Sequence, residues 1–275
     1  MKQASTKEGR YIYCIIGIGE SKTFGHLGIG GRNDLLYTVC FDNLAAVVSD
    51  SPLMKYSISR ENTIAHEKAI EEVMKEYTVL PARFGTIAED EEKVKQILEK
   101  ESDRFKTLLV KMEGKKELGL KAIFKEGIYA DILVKYEEIR VLKEELVNLP
   151  PERTIYQRVE IGRMVQEALE KEKERYKSQI LDVLSPLVEE LKINNNYGER
   201  MFLSAAFLIN KDKEELFDQK VQEFDAKYGE KVNFKYVGTV PPFNFVNLVI
   251  DTSTLLNVNG ERSRTIETGG NRVSN

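Results

Sequence analysis

Hydrophobic positions near the start of the chain have the spacing of buried strands. The β-branched and aromatic run Tyr11–Gly17 predicts one such strand. Leu35–Phe41 and Leu44–Ser49 predict two more, and Asp42-Asn43 between them is a tight hairpin signal. These three segments predict an antiparallel sheet at the start of an α+β domain.

Two helical patterns follow this predicted sheet. Ser59 is suited to cap a helix that extends to about Tyr77, because its hydroxyl can accept a hydrogen bond from a free backbone N–H. Apolar residues at intervals of three and four predict one continuous amphipathic helix over Glu89–Met112. A polar stretch follows this helix, and we therefore place the end of the first domain, over residues 1–113, at this point.

Four further strands are predicted in a second domain over residues 114–256. The first of them alternates between apolar and polar positions, and the second is apolar on both faces, as central strands are. The four segments are Leu118–Phe124, Arg200–Ile209, Val232–Tyr236 and Phe245–Ile250.

Long helices are predicted between these strands. One starts at about Arg153, after two consecutive prolines, with a kink or break at Ser185 and a second piece to about Leu191. Lys211–Tyr228 predicts another helix, and two helices over one antiparallel sheet is a ferredoxin-like arrangement. Residues 257–275 are polar and glycine-rich, which predicts a disordered tail.

Composition narrows the classes of function. The chain has 275 residues, and 41 Lys and Arg against 45 Asp and Glu give a net charge of −4, which disfavours a nucleic-acid-binding protein. Two Cys and two His cannot form a disulfide framework or several metal sites, so a reduced cytoplasmic protein is favoured. No apolar run reaches the ~20 residues of a membrane span, and no signal peptide is predicted.

Residues suited to catalysis or to metal binding are sparse. The glycine-rich segment Gly25–Gly31 lacks both common phosphate-loop motifs and leads into a strand, which favours a flexible connection. Cys14 and Cys40 lie in predicted strands and favour buried, inert thiols. We therefore predict no catalytic residue, no metal and no cofactor.

Two polar residues remain as candidates for a specific role. His66 shares a helical face with Ile70 and Val73, which favours a core-edge histidine with one hydrogen bond over a polar contact in a binding groove. Arg83 lies in a short apolar segment, which predicts a partly buried guanidinium with carboxylate or carbonyl partners. Structural pairing and partner recognition both stay open for Arg83.

Four segments resemble a known family when they are taken together and in order. They are Tyr11–Ile15, Glu117–Lys121, the sequence VLPARFGTI over Val79–Ile87 and the sequence GTVPPFNFV over Gly238–Val246. The chain resembles the gas vesicle protein GvpL/GvpF family over nearly its whole length. Residues 239 and 240 depart from the commonest family pattern, so an L-like or an F-like subfamily stays open.

The resemblance implies a cytoplasmic gas vesicle protein without enzymatic activity. It implies two α+β domains, the second a modified ferredoxin-like domain with long helices, and a place as an accessory or minor structural component. The implied partners are the hydrophobic shell protein GvpA and other gas vesicle accessory proteins, with no nucleic acid and no membrane. Some members of the family are placed at the gas-facing surface.

Two of the recognised motifs supply candidate residues for partner contact or for a structural role. A soluble partner of an apolar shell protein must expose apolar side chains, since buried apolar area drives such association. We expect Phe243 to make this contact, on the same side of its predicted strand as Phe245 and Asn247, whereas Phe84 and Phe245 are expected to seal the cores. The candidates are Leu80, Pro81, Arg83, Phe84, Gly85, Pro241, Pro242, Phe243 and Phe245, together with His66.

Two other classes of function remain as alternatives. A ferredoxin-like domain could instead form a regulatory module that binds a small ligand in a cleft between sheet and helix. An enzyme with a cysteine nucleophile and His66 as its base is the least favoured interpretation, because cysteines in apolar strands usually have a raised thiol pKa and are inert.

Overall fold

A computed structural model describes residues 7–147 and 149–248. Helices and antiparallel sheets both contribute to the fold, which confirms the predicted α+β class. The chain forms two compact units: a first unit from Met1–Leu109 with Asn247–Asn275, and a second unit from Val110–Val246. In the part of the chain that is described, no helix is both long and apolar enough to cross a membrane.

The first unit is built on one antiparallel sheet with the strand order β2-β3-β4-β1-β5, and β6 also pairs with β1. Strand β1 lies near the middle and is almost entirely buried. The predicted hairpin at Asp42-Asn43 is confirmed, and Asp42 adopts a left-handed φ of 53°. The strands are β1 Glu8–Ile16, β2 Thr23–His26, β3 Leu35–Phe41, β4 Leu44–Pro52, β5 Val79–Pro81 and β6 Ile87–Ala88.

Three helices accompany this sheet: α1 Arg60–Met74, α2 Glu91–Lys100 and α3 Ser102–Met112. Ser59 caps α1 as predicted, since its hydroxyl accepts a hydrogen bond from the backbone N–H of residue 62. The single helix predicted over 89–112 is wrong, because α2 ends at Lys100 and residue 101 is a turn. Serine and aspartate follow at 102 and 103, and such residues favour the start of a new helix over the continuation of an old one.

The second unit contains a four-stranded antiparallel sheet with the order β10-β7-β9-β8. Strand β9 is buried along nearly its whole length, as its apolar sequence predicts. The strands are β7 Lys115–Phe124, β8 Glu190–Ile193, β9 Met201–Asn210 and β10 Val232–Val240.

Two predictions for this unit are wrong. The expected second helical piece to Leu191 is a short 3₁₀ turn, Ser185–Leu187, after which the chain enters β8. The expected strand Phe245–Ile250 is absent over its described part, and Leu248 makes only an isolated bridge. The backbone N–H groups of residues 245 and 246 donate to the carbonyl oxygen of Pro242 instead, because the two prolines before this segment turn the chain. Residues 249 and 250 and the predicted tail lie outside the described residues.

Four helices complete the second unit and cover its sheet. The core lies where α4, α6 and α7 pack on β7 and β9. The helices are α4 Ile128–Lys135, α5 Glu137–Leu146, α6 Ile155–Leu184 and α7 Glu214–Tyr228.

Candidate functional site

The first motif begins in β5, at the edge of the sheet of the first unit. Leu80 and Pro81 are buried and pair with Ile15 and Cys14 of β1. A proline is tolerated here, because an edge strand has one side without ladder hydrogen bonds. Leu80 and Pro81 therefore help to fix the strand from which the next turn projects.

A tight turn follows over Arg83–Thr86. The Thr86 hydroxyl donates to the Arg83 carbonyl oxygen at 2.6 Å, and the Thr86 N–H donates to the same oxygen at 3.2 Å. Gly85 has a φ of 80°, a left-handed conformation that other residues rarely adopt. Glycine at this position is thus explained by the geometry of the turn.

A chain of buried hydrogen bonds holds this turn on the sheet. The carbonyl oxygen of Ala82 can only accept, so His66 Nε2, 3.2 Å away, carries the proton and donates. His66 Nδ1 then accepts from the Tyr11 hydroxyl at 3.1 Å, and the Tyr11 oxygen accepts from the Gly85 N–H at 2.9 Å. Tyr11 and His66 therefore connect β1 and α1 to both ends of the segment 82–85.

The position of His66 is that of a structural histidine in the core. Its side chain is 3% exposed, and Phe84 packs against it with ring centroids 5.8 Å apart. Burial lowers the pKa of His66 from 6.5 to about 4, and the hydrogen bond to Ala82 opposes this shift. His66 is therefore neutral near pH 7.

Arg83 is exposed, so the expectation of a partly buried guanidinium is wrong. Its guanidinium donates to Oδ1 of Asn247 at 2.6 Å, and Arg104 donates to the backbone oxygen of the same residue at 3.0 Å. The side chain points away from the core because the neighbouring residues 80–82 fill the buried positions.

The second motif forms a turn at the end of the second unit. Pro241 and Pro242 are buried, and the N–H groups of residues 243, 245 and 246 bond to their carbonyl oxygens at 2.7–3.1 Å. Phe243 is 40% exposed, Phe245 is half-buried and Val246 is buried. These exposures follow a turn and not the strand alternation predicted for Phe243, Phe245 and Asn247.

A buried carboxylate, missed by the sequence reasoning, holds this turn. Glu117 is 3% exposed; its Oε1 accepts from Asn244 Nδ2 at 2.5 Å, and its Oε2 accepts from the Asn244 N–H at 3.0 Å. Lys192 donates to the carbonyl oxygen of Asn244 at 3.1 Å. Burial raises the pKa of Glu117, although the two hydrogen bonds from Asn244 and the charge of Lys192 oppose the shift. The sequence feature that could have identified Glu117 is a glutamate in a strand that is otherwise mostly apolar.

The prediction of two buried thiols holds for Cys14 only, because Cys40 is half-exposed and its thiol donates to the carbonyl oxygen of residue 20 at 3.2 Å. Cys14 is fully buried, which raises the pKa of its thiol and disfavours the reactive thiolate. Within residues 7–147 and 149–248, no three or more His, Cys, Asp or Glu side chains are placed to hold a metal ion. The two motifs thus form restrained turns, one of which presents an exposed aromatic side chain.

Comparisons with known proteins agree on one family. The family model described as "Gas vesicle synthesis protein GvpL/GvpF" matches residues 9–247. Gas vesicle protein F of Nostoc sp. PCC 7120 is 28% identical, over 87% of this chain and 98% of that protein. Gas vesicle protein F1 of Halobacterium salinarum is 26% identical, over 81% and 86% of the two chains.

Solved structures show the same likeness. The crystal structure of GvpF from Anabaena sp. PCC7120 matches with a TM-score of 0.74 and 26% identity, over 88% of this chain and 99% of that one. The crystal structure of GvpF from Microcystis aeruginosa has a TM-score of 0.70, at 24% identity, over 87% of this chain and 99% of that one. The likeness therefore extends over both units.

Proposed function

The chain belongs to the gas vesicle synthesis protein GvpL/GvpF family, and from this membership we propose that it is an accessory protein that binds the hydrophobic shell protein GvpA during gas vesicle assembly. It acts together with other gas vesicle accessory proteins, in the cytoplasm and at the gas-facing surface of the vesicle. It is a binding protein and not an enzyme. Cys14, buried with a raised thiol pKa, and His66, with both ring nitrogens in hydrogen bonds, support this assignment.

The observation that carries the proposal is the exposed Phe243 on a turn that is already ordered. Pro241 and Pro242 restrict the backbone, and the bonds between Glu117 and Asn244 fix the turn to β7. An aromatic side chain on a restrained turn loses little conformational entropy on binding, which is favourable for an anchor residue. We therefore assign Phe243 to the contact with the shell protein.

The physical need for such a partner follows from the chemistry of a gas-filled shell. A protein that lines a gas space exposes apolar area before assembly, and each Å² buried in association contributes about 25 cal/mol. Covering this area with a protein of net charge −4 keeps the shell protein soluble until it reaches the growing wall.

The proposal includes a ferredoxin-like fold for the second unit. Two observations support it: the strand order β10-β7-β9-β8, and the helices that connect β7 to β8 and β9 to β10. In chain order this is strand, helices, strand, strand, helix, strand, which is the pattern of a split βαβ arrangement.

The alternative of a small-ligand-binding regulatory module has weaker support. A cavity of about 200 Å³ lies beside α4 and α6, below the usual 300–1,000 Å³ of ligand pockets. Two of its cations, Lys135 and Arg175, are already bound to the buried carboxylate of Glu172.

The proposal is tested by the variant Phe243→Ser in a pull-down of co-expressed shell protein. We expect shell-protein binding to fall while the melting temperature stays near that of the wild type. Tyr197→Ser is the matched control, because Tyr197 is also an exposed aromatic residue of the second unit and lies outside the motif. A loss of about 3 kcal/mol in the free energy of unfolding would identify Phe243 as a core residue and refute the contact.

A further inference from the structure

Helix α6 carries an apolar stripe that the second unit covers only in part. Ile155, Gly162, Leu169 and Tyr176 follow at seven-residue intervals, close to two helical turns, so they lie on one face. Leu169 and Tyr176 are buried in the core, whereas Ile155 and Gly162 are exposed. The first turns of α6 therefore present the same face to solvent that the later turns bury.

Further apolar side chains are exposed next to this part of the stripe. Val147 and Leu149 lie in the connection from α5 to α6, and Tyr156 and Val159 lie in the first turns of α6. Single exposed apolar residues are common, but a group of them marks an interaction surface. Val159, at 68% exposure, lies one turn beyond Ile155.

A groove of about 270 Å³ opens between α5 and α6 beside these residues. It is lined by the apolar side chains of Leu146, Val147 and Ile161 and by two cations, Lys143 and Arg158. The concave shape suits an inserted apolar side chain, and the cations suit a carboxylate beside it.

The charges of this groove differ from those of the helices around it. Arg140, Arg163 and Arg175 each pair with a glutamate on their own helix. Lys143 and Arg158 form no ion pair with any residue that the structure describes. The other arginines of α5 and α6 are neutralised within the chain, whereas Arg158 makes a hydrogen bond from its Nε to the Thr154 hydroxyl at 2.9 Å and no ion pair, so the groove offers two cations to a carboxylate of a partner.

Gly162 is not explained by packing within the second unit. A Cβ atom added at this residue would meet no atom within 4 Å, and its backbone is ordinary helix. Glycine is among the least favourable residues in the interior of a helix. A residue without a side chain on this face does, however, allow another backbone to approach closely.

We propose that the groove between α5 and α6, with the exposed start of α6, binds an amphipathic helix of a partner protein whose apolar stripe is flanked by carboxylates. The straight apolar stripe and the gap at Gly162 fit a helix. The cations Lys143 and Arg158 fit acidic flanks. A second copy of the chain is disfavoured, because a twofold interface would set these cations near their own symmetry mates.

The test uses the full chain and two model helices of about 18 residues, roughly 27 Å long. Both carry a leucine stripe, flanked in one peptide by glutamates and in the other by lysines. We expect the glutamate peptide to bind at least about tenfold more tightly, with an affinity that falls as salt is added. The double variant Lys143→Glu and Arg158→Glu is expected to reverse this preference.

Two further variants separate shape from charge. Gly162→Leu has room for its side chain in the free protein, so the melting temperature should not fall, yet peptide binding should be lost. Val159→Glu should also abolish binding. Val134→Glu, the same change at an 81% exposed valine of α4, is the matched control and should leave binding unchanged.

Several results would overturn the proposal. Equal binding of the two peptides, unchanged binding by Gly162→Leu, or an equal loss of binding in Val134→Glu would each do so. Dimerisation of the free chain that Val159→Glu abolishes would identify a second copy as the occupant. Binding to anionic lipid vesicles that depends on Lys143 and Arg158 would identify a membrane surface. Phe243→Ser should bind the glutamate peptide normally, so failure of the proposed function is distinguishable.

Discussion

Each of the two motif turns is held by a buried side chain that can change its charge below pH 7, but these two side chains have opposite chemistry. In the first unit a neutral His66 links Tyr11 to Ala82 through both ring nitrogens. In the second unit Glu117 accepts two hydrogen bonds from Asn244. The first turn is held by an uncharged network, and the second by a side chain that becomes an anion.

This difference predicts that acid acts on the two turns in opposite directions. The folded pKa of His66, about 4, is below its ordinary 6.5, so its contribution to stability is present above pH 6.5 and is lost as the pH falls toward 4. The folded pKa of Glu117 is above its ordinary 4.5, so its contribution is present below pH 4.5 and is lost as the pH rises through the raised value.

The largest effect is expected for His66→Ala. The substitution leaves the Tyr11 hydroxyl and the Ala82 carbonyl oxygen without their partner and opens a cavity in the core, which together cost about 3–4 kcal/mol. Urea denaturation measures the loss. His26→Ala, at the exposed second histidine, is the control and should cost less than about 0.5 kcal/mol. Equal costs for the two variants would contradict the role of the network.

The second prediction concerns acid. Protonation of His66 in the unfolded chain should remove about 3 kcal/mol of stability between pH 6.5 and pH 4, by the linkage of its lowered pKa. The measurement is the difference in unfolding free energy between the wild type and His66→Ala across this range. The difference should shrink as the pH falls, and a constant difference would show that His66 is already charged in the folded protein.

A smaller loss of stability, with the opposite dependence on pH, is expected for Glu117→Gln. The amide presents one donor to the two donors of Asn244, so one hydrogen bond is lost at about 1 kcal/mol. The stability that the substitution removes should be larger at pH 4 than at pH 7. The reason is that the wild type itself loses stability as Glu117 ionises with rising pH. Hydrogen exchange at the Asn244 amide reports this turn locally, and a cost that grows with pH would argue against the raised pKa.

Arg83→Ala is expected to have the smallest effect. Its guanidinium is exposed and bonds to one amide oxygen, so removal should cost about 0.5 kcal/mol or less. Thermal unfolding of Arg83→Ala measures this cost, with Arg104→Ala as the variant for comparison. A loss above about 1.5 kcal/mol in the free energy of unfolding would show that Arg83 contributes substantially to the stability of the fold.

The sequence was informative where structure depends on neighbouring residues. The hairpin at Asp42-Asn43 and the cap at Ser59 follow from local backbone preferences, and both are confirmed. The sequence does not predict the break at residue 101, because the buried residues Val94, Leu98 and Phe105 keep helical spacing across it. An apolar pattern records which face is buried but does not record a short interruption of the backbone.

The less successful predictions depended on contacts between distant residues. Strand β8 is short and half-exposed, and its strand character comes from pairing with β9. The partnership of Glu117 with Asn244 joins residues 127 positions apart, which no local pattern reveals. The resemblance to the family identified the segments that contain both residues, but it did not show that they hold one turn together.

The bridge between Ala82 and Leu248 has a consequence for the synthesis of the chain. Residue 82 follows β5 at the edge of the first sheet, and its partner is among the last described residues. On the ribosome, the whole second unit must be translated before this part of the edge can be covered. A nascent first unit therefore leaves this apolar edge uncovered until then, and an uncovered sheet edge is open to pairing with a neighbouring nascent chain.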